Sequence, residues 1–477
     1  MTRDELAALA SRALATGEEE AALPRLAAAA TAHRDARLHQ WTALLHRSLD
    51  QHGEAITAFD AAARLAPQDP LIAHGLARTL MEAGRDARPA YDRARALAPA
   101  DGDLLVGQSA ARLAQGEGER AAAALCDILA ANPLWIPGHL HLAQLQALLG
   151  HPDRAAASID RALAAHPAEP SLWTALFDLA IRREAYFELA ELIRRAPLAP
   201  TETAPFAAIA AAESGRLDDA TYLFATLPPT DLPIWRIRHA LRTGDVTRAF
   251  ALIDAELAGP AAADAGPYAF LAWRLAMDSR FDSLFNDTVQ IIDLADRLPL
   301  DALAATLRSL HVVSGQYLDQ SVRGGSQTDG PLLSRLEPEL RATRAAIVDA
   351  VQQYRAALPA PRSGNPLLGP PRDRRIRFAG SWSVRLFGGG HHSAHVHPHG
   401  WISSALYVAL PDQLAGTDGW LELGSPPSDL GLDLPPTQLV EPRPGRLVLF
   451  PSWLWHGTRP FGAGERLTIA FDVAPPR

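Results

Sequence analysis

The chain has 477 residues, nearly half of them apolar, and a formal charge of −9 at pH 7. That length suits two or three domains with sizeable cores, and the mild acidity without any basic block disfavours nucleic-acid binding. Cys126 is the single cysteine, so no internal disulfide can form, and a reducing compartment is expected. The opening residues MTRDELAALASRALATGEEE lack a continuous apolar stretch, and Asp4 and Glu5 argue against a signal peptide. No run of about 18 apolar residues occurs, so no membrane span is expected and the expected location is cytoplasmic.

Residues 1–260 are rich in Ala, Leu and Arg, with apolar positions at helical spacing. Four segments align directly: HGEAITAFDAAARLAPQDP, AGRDARPAYDRARALAPAD, QGEGERAAAALCDILAANP and LGHPDRAAASIDRALAAHP. Their prolines, Pro67, Pro99, Pro133 and Pro167, lie 32, 34 and 34 residues apart. Each unit offers a small residue for close helix packing (Ala55, Ala87, Ala121, Ala155) and a larger apolar one (Phe59, Tyr91, Leu125, Ile159). Gly53, Gly84, Gly116 and Gly150 are expected to mark the turn between paired helices, and the proline stops the second helix. This period and pattern resemble the tetratricopeptide repeat over about residues 38–167, continuing more weakly through AESGRLDDATYLF and LRTGDVTRAFALI. The resemblance implies an α-solenoid of helix pairs with a concave surface, the usual place for a protein or peptide partner. The plainer alternative is a bare scaffold or a dimerisation arm, which would make the chain a homodimer.

Residues 261–373 still read as helical, in PYAFLAWRLAMDSRFDSLFNDTVQIIDLADRL and EPELRATRAAIVDAVQQYRAAL, and are expected to connect the repeats to the C-terminal part and to support it. Between them QSVRGGSQTDGPLL, residues 320–333, reads as a polar glycine-rich loop in which Arg323 and Gln327 are candidates to reach a site. From 374 to 477 the period changes to two. RIRFAGSWSVRLF, WISSALYVALP, WLELG, GRLVLFPSWLWHG and ERLTIAFDVAP are short, β-branched and aromatic segments divided by Gly and Pro. About seven or eight strands fit, enough for a jelly roll.

Histidines crowd into GGGHHSAHVHPHG, where His395 and His397, at i and i+2, share one face of an extended strand. His456 comes at the end of FPSWLW, and Arg466 opens the last strand ten residues later. A metal that must keep one face open for co-reactants takes its protein ligands on the opposite face from adjacent strands. A dicarboxylate needs a fixed cation at its far end, and an arginine fork supplies one.

AHVHPHGWISSALYVALP and SWLWHGTRPFGAGERLTIAF resemble the Fe(II)/2-oxoglutarate-dependent oxygenases, whose pattern is His-x-Asp, a distant His and an Arg about ten residues on. With SVRGGSQT and GSWSVRL, most of the chain looks like a bacterial group of such oxygenases bearing N-terminal tetratricopeptide repeats. The resemblance implies a multidomain α + β chain whose C-terminal part is a double-stranded β-helix. It also implies Fe(II) and 2-oxoglutarate as cofactors and C–H hydroxylation as the reaction. Carried over by position, His395 and His456 are metal ligands, Arg466 binds the 2-oxoglutarate carboxylate, and Tyr407 is a second cosubstrate contact. The sequence departs at His397, which stands where the pattern has Asp. Three histidines would make the site more positive by one unit and also suit zinc. A third position filled by water, or a His397–His399 pair, remains open on the sequence, as do a three-histidine enzyme not using 2-oxoglutarate and a non-catalytic metal- or ligand-sensing module.

Overall fold

The computed structural model describes residues 1–281, 288–313, 315–318 and 320–477. Part of the helical expectation for 267–298, at 282–287, lies outside the described residues. The fold is multidomain α + β: an N-terminal array of paired helices and then a C-terminal region of antiparallel sheet.

The repeat arithmetic explains the array. The small positions Ala55, Ala87, Ala121 and Ala155 are all buried, as are Phe59, Tyr91, Leu125 and Ile159. Each large side chain so buried contributes roughly 2–3 kcal/mol. Contact is close enough that a Cβ on Gly75 would meet the Phe59 ring at 2.5 Å, so the helix Pro70–Glu82 packs there only without a side chain. A second periodic signal lies at the helix starts. Asp35, Asp69 and Asp101 each cap a helix, accepting from backbone N–H groups of its first turn.

One expected turn residue is corrected. Gly84, Gly116 and Gly150 adopt the left-handed conformation between paired helices, but Gly53 lies inside the helix His52–Leu65. In that unit the turn falls on Asp50, with φ 58°. Asp tolerates this region better than most residues because its short side chain can bond locally; here the carboxylate accepts from Arg344 at 2.7 Å.

Two antiparallel sheets form the C-terminal region. The larger has the order β1-β7-β4-β9-β3-β2, with β1 Gln290–Asp293, β2 Val322–Gln327, β3 Phe378–His392, β4 Ile402–Ala409, β7 Arg446–Pro451 and β9 Glu465–Val473. The smaller runs β6-β5-β8, from β6 Gln438–Val440, β5 Leu421–Leu423 and β8 His456–Thr458. The helices Leu300–Leu310 and Pro338–Ala357 cover one face of the larger sheet, burying Leu303, Leu307, Ile347 and Tyr354 with Ile402, Leu406, Ile469 and Phe471.

The reading of 261–373 as helix and loop is corrected at two points. QIID pairs with Arg446–Leu449 as β1, and the glycine-rich stretch 322–327 pairs with β3 as β2. Both are edge strands, formed because a neighbouring strand offers unpaired backbone groups rather than through local propensity.

The array does not stand apart from the sheets. Its intra-repeat turns, where helices end in unpaired carbonyls carrying partial negative charge, receive donors from the C-terminal half. Arg375 donates to the carbonyls of Ser48 and Leu49, Leu336 N–H to Ala83 O at 3.3 Å, and Gly315 N–H to Leu148 O at 2.9 Å. Arg323 reaches Glu184 at 3.3 Å, and Trp455 Nε1 donates to Pro267 O at 2.9 Å.

His311 ties the covering helix Leu300–Leu310 to the sheet, with Nδ1 2.8 Å from Ser326 Oγ and Nε2 3.1 Å from Ser383 Oγ. Burial, reinforced by Arg385, holds its pKa down to about 4. The folded state keeps the ring neutral where the unfolded chain already takes up a proton, so this contribution is complete above the ordinary value of 6.5 and is lost as pH falls toward 4. Denaturation midpoints of the parent and His311→Gln, measured across that window, should converge on acidification; a constant gap would refute the assignment.

Candidate metal centre

The pocket lies between the two sheets. Along β9, Arg466, Thr468, Ala470 and Asp472 all line it, as a period of two dictates. His456 opens β8 on the opposite sheet. His395 comes just after the end of β3, not within a continuous strand as expected but as an isolated bridge, its N–H and C=O both paired with the backbone of His456. His397 N–H donates to Ser452 O at 2.9 Å, so the segment stays extended and the i, i+2 relation holds.

One nitrogen from each of His395, His397 and His456 lies within 4.8 Å of those of the other two. Their other nitrogens are spoken for. Nδ1 of His395 faces Ser393 O at 2.9 Å, and Nδ1 of His456 faces Leu454 O at 2.9 Å. A carbonyl only accepts, so both Nδ1 atoms carry the proton and both Nε2 atoms present lone pairs. Nδ1 of His397 lies 2.5 Å from Asp472 Oδ2. Burial pushes the pKa of His395 down to about 3 and that of His456 well below its ordinary value, with the neighbouring histidines adding to both. Those two rings are therefore neutral at pH 7, the form that binds metal.

Asp472 is a feature the sequence reading missed. Its carboxylate is buried, accepts from Ser403 Oγ, and meets His397 at Nδ1. Trp382 lies flat against His397, ring centroids 5.5 Å apart and planes 5° from parallel. The negative charge absent from position 397 thus sits one imidazole further out. Only the strand period links it to the site: it is six residues beyond Arg466 on the same face of β9. Asp472→Asn keeps an acceptor for Nδ1–H but removes the charge, and should weaken Mn(II) binding about 10-fold to 100-fold, measured by isothermal titration.

Arg466 is 3 % exposed. Its Nη1 donates to Gly419 O at 2.9 Å and its guanidinium lies 5.1 Å from the Tyr407 ring centroid. Among the described residues no carboxylate pairs with it, and both Arg466 Nε and Tyr407 Oη are buried without a hydrogen-bond partner. Burial lowers the Arg466 pKa and raises that of Tyr407. A buried cation and a buried hydroxyl, both unsatisfied, fit an anion with several acceptor oxygens. The residues present therefore suit a divalent metal beside a carboxylate ligand.

His392 is a second residue whose place the sequence did not reveal. It lines the pocket, stacks on His395 at 5.9 Å and lies 3.1 Å from Ser321 Oγ. His399 is exposed, 3.4 Å from Asp264 and outside the group formed by His395, His397 and His456. Gln327 lines the pocket from β2, while Arg323 faces an adjoining cleft.

Residues 380–472 match the family model described as "Putative 2OG-Fe(II) oxygenase". No curated protein matches the chain. Among solved structures, MamA 41-end from Desulfovibrio magneticus RS-1 is 20% identical with a TM-score of 0.30, covering 35% of this chain and 96% of its own. A Pseudomonas putida prolyl-4-hydroxylase is 20% identical with a TM-score of 0.27, covering 41% of this chain and 97% of its own. The viral collagen prolyl hydroxylase of Paramecium Bursaria Chlorella virus-1 is 13% identical with a TM-score of 0.26, covering 40% and 97%.

Proposed function

We propose that the chain hydroxylates a C–H bond, consuming O2 and 2-oxoglutarate and releasing succinate and CO2, a reading supported by the match of residues 380–472 to the family model described as "Putative 2OG-Fe(II) oxygenase". The supporting observation is the coincidence in one buried pocket of three convergent histidines and an arginine that no carboxylate among the described residues neutralises. Bound iron and 2-oxoglutarate would supply the oxidising power.

In this reading His395, His397 and His456 hold the metal through Nε2, with Ser393 O, Leu454 O and Asp472 fixing the ring orientations. Arg466 takes the far carboxylate of the cosubstrate as a bidentate fork, and Tyr407 Oη donates the remaining hydrogen bond. Trp382, Leu421 and Ile469 wall the pocket and limit water. The arginine favours this reading over a zinc centre, which has no need of a buried dicarboxylate anchor. The substrate is a protein or peptide presented beside the helical array, inside the cell.

The test is succinate release by purified protein with Fe(II), ascorbate and 2-oxoglutarate, alone and with candidate substrates. Release that depends on both Fe(II) and 2-oxoglutarate is expected. Its absence, together with no Fe(II)-dependent binding of 2-oxoglutarate, would sink the proposal.

A further inference from the structure

The glycine-rich strand β2 brings one more polar side chain to the metal pocket, from outside residues 380–472. Val322 pairs with His392, so Ser321, the residue before it, arrives beside the histidine cluster. Gly325 permits the close pairing that sets this register: a Cβ there would lie 2.3 Å from Arg385 O. The Ser321 carbonyl accepts from Ser393 N–H at 2.9 Å, which fixes the backbone independently of the side chain. Ser321 Oγ lies 3.1 Å from His392 Nδ1 and 3.3 Å from His395 Nε2.

A serine hydroxyl has one proton to give. His395 Nδ1 carries its own proton toward Ser393 O, so Nε2 only accepts. Both contacts are made at once when His392 Nδ1–H donates to Ser321 Oγ and Ser321 O–H donates to His395 Nε2. A metal on His395 takes that acceptor away and sits about 2.1 Å from the nitrogen, beside the hydroxyl. Ser321 Oγ still accepts from His392, and its O–H turns to the ligand on the metal. The neighbouring hydroxyls of Ser403 and Ser404 are committed elsewhere, to Asp472 and to Phe471 O.

The helical array holds the segment that ends at Ser321. Val313 and Tyr317 pack against Leu113, Leu142, Leu145 and Leu148 of the repeats. Leu318 N–H donates to Gln144 Oε1 at 3.3 Å, and Gly315 N–H to Leu148 O at 2.9 Å. At Gly315 the approach leaves no room for a side chain, since a Cβ would lie 1.9 Å from Ala147 O.

We propose that Ser321, held in place by the array, donates a hydrogen bond to the oxygen or nitrogen ligand that occupies the open face of the metal. The inference rests on the metal centre of the oxygenase reading and not on its cosubstrate or turnover. The array then has a part in building the metal pocket.

The test uses the full chain loaded with Co(II) and titrated with azide, read from the visible bands of cobalt, which respond to azide on the metal. Ser321→Ala should weaken azide binding about 10-fold. Co(II) affinity should stay within a few-fold of the parent or tighten, because the metal no longer displaces a hydroxyl from His395. A merely structural role would weaken both together. Ser321→Thr, which returns the hydroxyl, should bring azide affinity back toward the parent. Gly315→Ala should reproduce the azide defect with the hydroxyl still present, and circular dichroism should show the fold retained in every variant. Unchanged azide affinity in Ser321→Ala, or parallel loss of Co(II) and azide in Ser321→Ala and Ser321→Thr alike, would overturn the proposal; unchanged affinity in Gly315→Ala would overturn the array's part in it. A parent chain that takes up no Co(II) overturns this inference and the metal centre together, whereas the expected azide results without any succinate release would leave this inference standing and the oxygenase reading refuted.

Discussion

His456→Ala is expected to abolish stoichiometric metal binding, lowering Mn(II) affinity by at least about 100-fold, since one of three imidazole donors is lost from a site without a bound carboxylate. The backbone bridge between residues 395 and 456 is independent of the side chain, so the strand arrangement survives. Removing a buried ring should cost roughly 2–4 kcal/mol in stability from the cavity left against Phe450 and His395. Isothermal titration with Mn(II), paired with a denaturation curve, checks both parts. Tight binding at one ion per chain in a folded variant would mean that the ligands lie elsewhere.

Arg466→Met should separate the cosubstrate from the metal. Methionine roughly conserves volume but removes the charge, so the KM for 2-oxoglutarate should rise about 100-fold or more while Mn(II) affinity stays within a few-fold. Stability carries an unusual sign. Arg466 bears a desolvation cost with no carboxylate partner among the described residues, so the variant should be no less stable than the parent despite losing the Gly419 contact. Cosubstrate titration of succinate release and a thermal midpoint read the two effects. An unchanged KM would remove Arg466 from the anchor position.

Much of this arrangement is legible in the sequence because it rests on periodicity. A 34-residue repeat places Ala55, Phe59 and their counterparts without any tertiary knowledge, and the alternation of ERLTIAFDV places Arg466 on the pocket face. The spacing His-x-His, then His456, then Arg466 brings three rings together in the folded chain. What escaped the sequence depends on partners distant in the chain. QIID is too short for a period-two reading and VRGGSQ lacks β-branched residues after Val322, so both read as something other than strand. Gly53 looked like a turn glycine because of its neighbours, while Asp50 three residues earlier takes the left-handed position with Arg344 as its partner. Asp472 carries no local signal, since its role exists only through its 2.5 Å approach to a ring 75 residues earlier.

The two strands contributed from before residue 374 have a practical consequence for dissecting the chain. A fragment beginning at residue 374 would contain β3 to β9 but neither border of the larger sheet, because β1 and β2 are its outermost members. Its β7 and β3 flanks would be naked, each with a row of unsatisfied amides and carbonyls, and the buried face of helices Leu300–Leu310 and Pro338–Ala357 would be stripped from it. Such bare flanks recruit other copies by strand addition. The isolated histidine-bearing fragment should therefore precipitate or form sheet-linked oligomers, whereas fragments that begin before residue 290 retain their own borders.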